Sequence, residues 1–324
     1  MKLGVMAVLF GDKDLKWVCD FLVSKGVQTI EIGCGGFPGK SICDPEILLN
    51  DANAMQQFKD TLAASGLEIS ALSCHGNYIH PNKEIAAQFE HDLDNAIKLA
   101  KELGVDTINC FSGCPGDCEE SKYPNWVTCA WPTDFPEILK WQWEEKLIPF
   151  WKKKVEFARA YGVNKFAFEM HPGFCVYNVE TLLKLRAAVG PEIGANFDPS
   201  HLIWQGVDPV AAIRALGKEN AIFHFHAKDT KVDKYNTAVN GVLDTKNFAD
   251  ESNRSWIFRS VGYGNDYAYW KDIVSALRMV GYEGALSIEH EDSLMTPLEG
   301  LDKAISFLKE VLIFQPKMTE MWWN

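Results

Sequence analysis

Four apolar segments in the second half of the sequence end in side chains that can bind a metal ion. The segments read FAFEMH, ANFDPSH, IFHFHAKD and LSIEHED, and their candidate ligands are Glu169, Asp198, His226 and Glu289. One inward carboxylate or imidazole is more often hydrogen-bonded or ion-paired, but buried carboxylates clustered together repel one another without a cation. Three carboxylates with one imidazole suit Mn²⁺ best, with Mg²⁺, Co²⁺ or Zn²⁺ as alternatives. The residue types therefore predict a site for one divalent metal ion.

The segment IFHFHAKD, residues 222–229, carries two histidines two positions apart. Alternate side chains of a strand share a face, so His224, His226 and Lys228 are predicted to point to the same side. His226 lies nearer the strand end and is the predicted metal ligand, and Lys228 beyond it is a candidate substrate contact. His224 lies one pleat deeper, where it either orients a carboxylate or is a hydrogen-bonded core histidine.

Three further residues are candidates for the rim where these strands end. His75, in SCHGNYIH, is predicted to contact substrate or a group that orients the ligands, and Glu31, in TIEIG, is predicted to reach the same rim. Trp131 lies in a long loop, where an indole ring can stack on a sugar, although tryptophans also form subunit interfaces. The backbone amides of VGYGND, residues 261–266, are a weaker candidate for binding a sugar or a phosphate.

The elements that must position these residues alternate regularly between strand and helix. Short apolar or β-branched runs alternate with amphipathic segments, many of which end on glycine, a common helix terminator. Eight such units predict a single-domain α/β protein, a (β/α)8 TIM barrel over residues 1–313. An open dinucleotide-binding sheet fits less well, because the first strand ends in LFGDKD and not in G-x-G-x-x-G. The predicted strands cover residues 2–10, 28–34, 67–74, 106–112, 165–171, 193–199, 221–228 and 284–291.

Two predicted connections are too long to be simple turns. They are residues 113–136 after the fourth strand and residues 229–266 after the seventh, the β4α4 and β7α7 loops of the predicted barrel. Both follow strand carboxyl ends, where barrel enzymes place their sites, so both are predicted to form lids or substrate walls. Residues 314–324 form a C-terminal tail whose tryptophans predict docking on the body or on a neighbouring subunit, with disorder as the alternative. We expect a homo-oligomer, either a dimer or a tetramer.

Composition and charge argue against several classes of function. The 324 residues include 32 Lys and Arg against 44 Asp and Glu, a formal net charge of −12, so a nucleic-acid partner is not expected. No apolar run approaches the roughly 20 residues of a membrane span, and the N-terminus does not resemble a signal peptide. The nine cysteines are odd in number and mostly lie in apolar segments, which favours free thiols. We therefore expect a cytoplasmic protein.

The order and spacing of the four candidate ligands resemble those of the xylose isomerase-like barrels, over essentially the whole chain. This group includes sugar phosphate isomerases/epimerases and AP endonuclease family 2. Its ketose 3-epimerase members hold one Mn²⁺, Mg²⁺ or Co²⁺ with Glu, Asp, His and Glu, which correspond to Glu169, Asp198, His226 and Glu289. The family motif D-x-x-H, whose histidine contacts substrate, matches Asp198 and His201. The resemblance therefore implies a small-molecule sugar or sugar derivative as substrate.

The resemblance also implies a mechanism that these residue types would support. A divalent cation bound to a carbonyl and an adjacent hydroxyl stabilises the enediolate that forms when the neighbouring carbon loses its proton. By similarity, Glu169 and Glu289 are the acid/base pair, one taking the proton and the other returning one on the opposite face. The predicted function is that of a metal-dependent sugar isomerase or epimerase.

Two departures from the 3-epimerase pattern leave the substrate open. The second glutamate and the arginine that contact a free ketose in those enzymes are replaced by Cys175 and Val232. Lys228 or Arg259 is a candidate to replace the arginine, although neither is in register. A keto-polyol or 3-keto-glycoside, processed by a lyase, a dehydratase or an epimerase, is therefore an alternative substrate.

Two other functions fit the sequence less well. A non-catalytic sugar-binding barrel predicts an incomplete ligand set, whereas the four candidate ligands form a complete one. The endonuclease branch uses three zinc ions and a D-x-H motif after the seventh strand, and the loop after Asp229 contains no such motif. Because the chain is also acidic, an endonuclease is the least favoured interpretation.

Overall fold

Eight parallel strands form a closed barrel in the computed structural model, which describes residues 1–318 and residue 323. The barrel strands follow one another in chain order, and the last pairs with the first. This arrangement confirms the predicted single-domain (β/α)8 TIM barrel. The described strands are β1 (Lys2–Met6), β2 (Thr29–Gly33), β3 (Glu68–Ser73), β4 (Thr107–Cys110), β5 (Lys165–Glu169), β6 (Ile193–Phe197), β7 (Ile222–Ala227), β8 (Asp229–Val232), β9 (Trp256–Arg259) and β10 (Ala285–Ile288), of which β8 and β9 form a separate hairpin.

Helices connect successive barrel strands and cover the outside of the barrel. Their first turns follow local sequence rules: Asp14, Asn82 and Asp266 each accept hydrogen bonds from backbone N–H groups that have no partner within the helix. A π-helical segment, Gln142–Leu147, joins the helix Asp134–Trp141 to the helix Ile148–Arg159. The described α-helices are α1 (Leu15–Ser24), α2 (Pro45–Asn50), α3 (Ala52–Ser65), α4 (Lys83–Leu103), α5 (Asp134–Trp141), α6 (Ile148–Arg159), α7 (Val179–Val189), α8 (Pro199–Ile203), α9 (Pro209–Lys218), α10 (Lys234–Asn240), α11 (Tyr267–Met279) and α12 (Pro297–Val311).

Apolar side chains between the barrel and the helices form the main core. Trp151 of α6 packs edge-on against Phe166 and Phe168 of β5, with ring centroids 5.2 and 4.5 Å apart. Trp270 of α11 meets Phe225 of β7 in a similar way. All five rings are fully buried, and burial of each such side chain contributes about 1.5–3 kcal/mol. This layer holds the strands, and therefore their carboxyl ends, in fixed positions.

The two long connections differ in structure. The connection from β4 to α5 follows an irregular path. Residues 229–266 instead contain an antiparallel hairpin, β8 paired with β9, with α10 between the two strands. We call residues 229–266 the β7–α11 excursion. The sequence predicted only a loop here, so the hairpin and α10 are additions to the predicted fold.

The C-terminal tail follows α12. Residues 319–322 and 324 lie outside the described residues, so docking of the tail stays a prediction, as do the boundary at residue 313 and the homo-oligomer. Among the helices that the structure describes, none is long and apolar enough to cross a membrane.

Candidate functional site

The four predicted metal ligands lie at the carboxyl ends of four neighbouring barrel strands. Glu169 is the last residue of β5, Asp198 follows β6, His226 is on β7 and Glu289 follows β10. Each contributes one candidate ligand atom, and these atoms all lie within 4.8 Å of one another. They meet because the carboxyl ends of parallel strands share one rim of a barrel. This largely buried group, which we call the ligand group, could hold a metal ion.

Asp198 is held in place by the start of α8. Its Oδ1 accepts a hydrogen bond from the Ser200 backbone N–H at 2.7 Å, and Pro199 occupies the first turn, where a missing N–H costs little. The other oxygen, Oδ2, lies 3.1 Å from the Lys228 amine and 3.4 Å from His201 Nε2. One oxygen thus caps a helix and leaves the other for the ligand group.

His226 presents its two ring nitrogens to different carboxylates. Its Nε2 lies 2.9 and 3.0 Å from the two carboxylate oxygens of Glu31. Its Nδ1 lies 3.1 Å from Glu289 Oε2 and 3.4 Å from Glu169 Oε2. Although burial opposes a charged ring, these carboxylates raise the pKa of His226 well above its usual value. His226 therefore contacts Glu31 in the barrel interior through Nε2 and two carboxylates of the ligand group through Nδ1.

Glu31 lies deeper than the sequence predicted. Its side chain is fully buried inside the barrel and contacts the Nε2 side of His226, away from the rim. Ser287 Oγ and Asn109 Nδ2 donate hydrogen bonds to it at 2.6 and 2.8 Å, and Ser73 Oγ donates a third. Burial would raise the pKa of Glu31, but His226 and Ser287 outweigh it and hold that pKa below its usual range. Glu31 is therefore a buried carboxylate that stays ionised.

His224 lies one pleat deeper than His226, among polar side chains of the barrel interior. Its Nδ1 lies 3.0 Å from Asn196 Oδ1, and its Nε2 lies 3.1 Å from Ser70 Oγ and 3.9 Å from Glu31 Oε2. Burial lowers the pKa of His224 to about 4, so the ring is neutral at neutral pH. Of the two roles predicted for it, that of a hydrogen-bonded core histidine describes these contacts better.

Lys228, a predicted substrate contact, is buried beside the ligand group. Its amine lies 2.7 Å from Glu289 Oε2, 2.9 Å from Glu291 Oε2 and 3.1 Å from Asp198 Oδ2. Burial lowers the pKa of an amine, but these carboxylates outweigh it and raise the pKa of Lys228 well above its usual value. The ammonium also lies 4.8 Å from the ring centre of Phe258, which belongs to β9 of the excursion. Lys228 thus places a positive charge at the edge of the ligand group.

His75 and His201, the other two buried candidates for substrate binding, both contact Glu169. His201 Nε2 lies 2.8 Å from one carboxylate oxygen of Glu169, and His75 Nε2 lies 3.2 Å from the other. The ring of His201 packs edge-on against Phe258, and that of His75 packs edge-on against Phe111. Both histidines are therefore placed to orient Glu169 as well as to face a ligand.

The three carboxylates of the ligand group differ in their affinity for a proton. Burial raises the pKa of Glu169, but hydrogen bonds from neighbouring imidazoles outweigh it and hold that pKa well below its usual value. In Glu289, burial is outweighed by Lys228 and His226, which lower the pKa to about 2. In Asp198, burial prevails over the charge of Lys228 and raises the pKa. The two glutamates are thus ionised at neutral pH.

A cavity of about 250 Å³ opens beside the ligand group. Its lining combines apolar and polar side chains, a combination typical of sites for small molecules. The apolar lining residues are Met6, Val8, Leu9, Phe37, Pro38 and Phe111, and the polar ones are His75, Glu169, His171, His201, Lys228, Glu289, His290 and Glu291.

Two predicted substrate contacts do not line this cavity. Arg259, at the end of β9, is ion-paired with Asp292, with 3.0 Å between Nε and Oδ2, and lies over the ring of Tyr263. Trp131, in the irregular connection after β4, is 78% exposed. The structure therefore does not bring either residue together with the ligand group, and their roles stay predictions.

Some residues around the cavity were not selected from the sequence. His171 could have been found, because it lies two positions after Glu169 on the same predicted strand face. Phe258 and the apolar lining residue Phe37 carry no comparable pattern, since they come from connections whose path the sequence does not reveal. The aromatic part of the site was therefore missed.

Three backbone amides within residues 261–266 already have an acceptor within the protein. Asp229 Oδ2 accepts hydrogen bonds from the backbone N–H groups of Gly262, Gly264 and Asn265 at 3.1, 3.1 and 2.9 Å. The indole N–H of Trp270 donates to the same oxygen at 3.1 Å. These amides are therefore not available to a sugar or a phosphate, contrary to the interpretation of the VGYGND segment.

Comparisons with known proteins cover nearly the whole chain. The family described as xylose isomerase-like TIM barrel matches residues 19–311. The chain belongs to this family. Uncharacterized protein YfiH of Bacillus subtilis (strain 168) is 38% identical over 314 residues, which cover 96% of this chain and 99% of YfiH. Membership of the xylose isomerase-like family confirms the resemblance drawn from the strand-end residues.

Solved structures that share the barrel fold of this chain include two whose names bear on metal and sugar chemistry. The IolI protein, solved with a bound zinc atom, has a TM-score of 0.65 at 18% identity, over 96% of this chain and 98% of IolI. The 3-keto-D-glucoside 4-epimerase YcjR from E. coli has a TM-score of 0.64 at 12% identity, over 96% of this chain and 99% of YcjR. At such low identities the likeness shows the fold alone.

Proposed function

We propose that this protein is a divalent-metal-dependent isomerase or epimerase that removes a proton next to the carbonyl group of a sugar or sugar derivative. The observation that carries the proposal is the ligand group of Glu169, Asp198, His226 and Glu289, whose candidate ligand atoms lie within 4.8 Å of one another beside a cavity. Membership of the xylose isomerase-like family supports a sugar-related substrate.

The residues present fit a divalent cation. Within the described part of the chain, Asp198 Oδ2 and His226 Nδ1 are buried and make no hydrogen bond of good geometry, although Lys228 Nζ and Glu289 Oε2, respectively, lie 3.1 Å away. An oxygen-rich set with one imidazole suits Mn²⁺, with Mg²⁺, Co²⁺ or Zn²⁺ as alternatives. The zinc atom in the IolI structure supports a metal in a barrel of this type. A bound cation would supply the positive charge that stabilises the oxygens of an enediolate.

Glu169 and Glu289 are the proposed acid/base pair. Both are ionised at neutral pH, so each can accept a proton from a carbon atom next to a carbonyl group. Their strands, β5 and β10, are separated in the barrel by β6 and β7, which suits removal of a proton from one face of the substrate by one glutamate. The other glutamate, also ionised at rest, would first take up a proton from solvent and then deliver it to the opposite face. His75 and His201 hold the carboxylate of Glu169 in place during the transfer.

A second candidate function is elimination from a keto-polyol or a 3-keto-glycoside, and Lys228 favours it. Among the described residues that line the cavity, Lys228 is the only Lys or Arg. After a glutamate has removed the C–H proton, the Lys228 ammonium can donate a proton to the departing hydroxyl or glycosidic oxygen. The name of YcjR, a 3-keto-D-glucoside 4-epimerase, supports oxidised glycosides as a substrate class.

Metal binding tests the first part of the proposal. Elemental analysis and thermal shift with Mn²⁺ and with EDTA would compare the wild type, Glu289→Gln and Glu145→Gln. We expect a stoichiometric divalent ion in the wild type and a loss of affinity of about tenfold or more in Glu289→Gln, which lacks one ligand charge. Glu145 is exposed in the π-helical segment, so its variant should match the wild type. A wild type that neither contains nor is stabilised by a divalent ion would contradict the proposal.

Exchange with solvent tests the chemistry. The protein would be incubated in D₂O with ketoses, inososes and 3-keto-glycosides and followed by NMR. Epimerisation should place deuterium on a carbon next to the carbonyl with inversion, whereas elimination should release water or the aglycone. Lys228→Met should slow elimination more than exchange. Failure of all three substrate classes to take up deuterium would count against proton abstraction and favour a non-catalytic sugar-binding barrel.

A further inference from the structure

We propose that Glu31 is a positioning residue that keeps a proton on Nε2 of His226 and thereby aims Nδ1 at the metal. The inference rests on the metal site proposed above and adds to it a residue from β2, a strand that contributes nothing to the ligand group. Glu31 acts only through His226, because its carboxylate contacts the opposite nitrogen of the imidazole ring.

One ring nitrogen of His226 faces both carboxylate oxygens of Glu31, and the contact is shielded from solvent. Nε2 of His226 lies 2.9 and 3.0 Å from the two carboxylate oxygens, and both side chains are 0% exposed. A carboxylate can only accept, so Nε2 must donate its hydrogen to Glu31. Asn196 Nδ2, 3.1 Å from the same nitrogen, therefore cannot also donate to it. The nitrogen left to face the ligand group is Nδ1, which lies 3.1 Å from Glu289 Oε2.

The surroundings of Glu31 keep it as an acceptor in a fixed orientation. Ser287 Oγ donates to Oε2 at 2.6 Å, and Asn109 Nδ2 donates to Oε1 at 2.8 Å. Ser73 Oγ donates to Oε1 as well. These donors come from β10, β4 and β3, so three strands of the barrel hold one carboxylate. A carboxylate that is satisfied in this way has little freedom to rotate away from His226.

The expected effect of this contact is on metal affinity. Histidines that bind metals commonly donate their other N–H to a carboxylate, which fixes the ring and makes the free nitrogen more basic. Loss of such a partner typically costs about 10–100-fold in metal affinity. Glu31→Gln should therefore bind Mn²⁺ about 10–100-fold more weakly than the wild type, because an amide neither carries the charge nor fixes which of its atoms faces Nε2.

Glu31, His224 and His226 also lie close enough to one another to share a metal ion. We call this alternative position, deeper in the barrel, the lower site. The contacts of His224 argue against it. Both of its nitrogens meet neutral polar side chains at 3.0 and 3.1 Å, whereas Glu31 Oε2 is 3.9 Å away. If the lower site held the metal, removal of His224 would be as damaging as removal of Glu31.

The test measures Mn²⁺ affinity by isothermal titration calorimetry on the full-length chain after removal of metals. The wild type would be compared with Glu31→Gln and with the matched control His224→Gln, a buried imidazole of β7 outside the ligand group. We expect weak binding in Glu31→Gln alone. Equal losses in both variants would overturn the proposal in favour of the lower site, and unchanged affinity in Glu31→Gln would overturn it outright.

A second measurement does not depend on whether Glu31→Gln folds. The wild-type chain has eight histidines, so ¹⁵N-histidine NMR of the Zn²⁺-loaded protein can resolve which nitrogen of His226 keeps its proton. The proposal predicts a hydrogen-bonded Nε2–H and a metal on Nδ1, and the reverse assignment would overturn it. A wild type that binds no divalent ion would refute the proposed metal site itself and the role of Glu31 with it.

Discussion

Asp229 ties the two ends of the β7–α11 excursion to each other. Its carboxylate accepts hydrogen bonds from the backbone N–H of Thr230 at the start of the excursion and from Gly262, Gly264 and Asn265 at its end. Several N–H groups donate to this one buried carboxylate. An asparagine in its place would have to point its own NH2 group at some of these donors, which would then lose their acceptor. The excursion is therefore stabilised by the carboxylate of Asp229, which is not part of the ligand group.

Asp229→Asn should lower the free energy of unfolding by about 2–4 kcal/mol, because buried donors lose their acceptor. Urea denaturation followed by circular dichroism would measure the change. Asn265→Ala is the matched control: it removes one side-chain donor to the same carboxylate and should cost only about 1 kcal/mol. Equal costs for the two variants would contradict the role given to the Asp229 carboxylate.

At the residue scale, the sequence predicted which side chains gather in the ligand group but not the contact between Glu31 and His226. Glu169 and Glu289 could be selected because strand pleating and a shared barrel rim determine where they point. The contact between Glu31 and His226 could not, since it joins residues 195 positions apart across the interior of the barrel. Only closure of the barrel, with its particular register, brings these two side chains together.

At the scale of elements, the β7–α11 excursion forms part of the cavity surroundings through Phe258. This ring packs edge-on against His201 and lies 4.8 Å from the amine of Lys228. The excursion is held in turn by Trp256, which stacks on Trp204, just after α8, with ring centroids 4.6 Å apart. A small second core of Trp204, Trp256 and Phe258 therefore joins the excursion to the barrel rim.

Trp256→Ala should loosen the excursion without unfolding the barrel. Loss of a buried tryptophan costs about 3–5 kcal/mol, and this cost falls on the small second core. Hydrogen–deuterium exchange should therefore rise in residues 229–259 and stay unchanged in β1–β7. Tyr235→Ala, at an 85% exposed position of α10, should leave exchange at the wild-type level. Faster exchange throughout the barrel strands would show that the excursion is not a separate unit.

The elements differ in how far the sequence predicted them. The eight barrel strands were predicted because apolar runs alternate with amphipathic helices, a pattern that local residues determine. Several strands were predicted to extend too far at their carboxyl ends. The first predicted strand, residues 2–10, also includes the 3-10 turn Ala7–Phe10. The sixth strand ends earlier than predicted because Asp198 caps α8. The hairpin β8–β9 was missed because its two strands are short and far apart in the chain.

At the scale of the whole molecule, all nine cysteines are free, in agreement with the thiols predicted from the sequence. Cys118 and Cys129 are exposed, and the other seven are buried. Burial raises the pKa of the Cys34 and Cys110 thiols well above the usual value, so these are poor nucleophiles.

We therefore expect two thiols to react quickly with Ellman's reagent in the native protein and nine after denaturation. Cys118→Ser together with Cys129→Ser should abolish the fast phase. A reductant should leave the melting temperature unchanged, because no disulfide contributes to the fold. Fast reaction of more than two native thiols would mean that the barrel opens more readily than its packing indicates.

Both ends of the excursion meet at Asp229, and this arrangement affects which changes in sequence length the protein can tolerate. Residues between β8 and β9 could be replaced by a segment of another length while Asp229 and the amides that it accepts from are kept. Such an exchange would replace Phe248, whose ring stacks on Phe258 with centroids 5.7 Å apart, and would leave the ligand group untouched. The segment that packs on Phe258 and the residues of the ligand group therefore lie in separate stretches of the chain, so the first can vary in length while the second is retained.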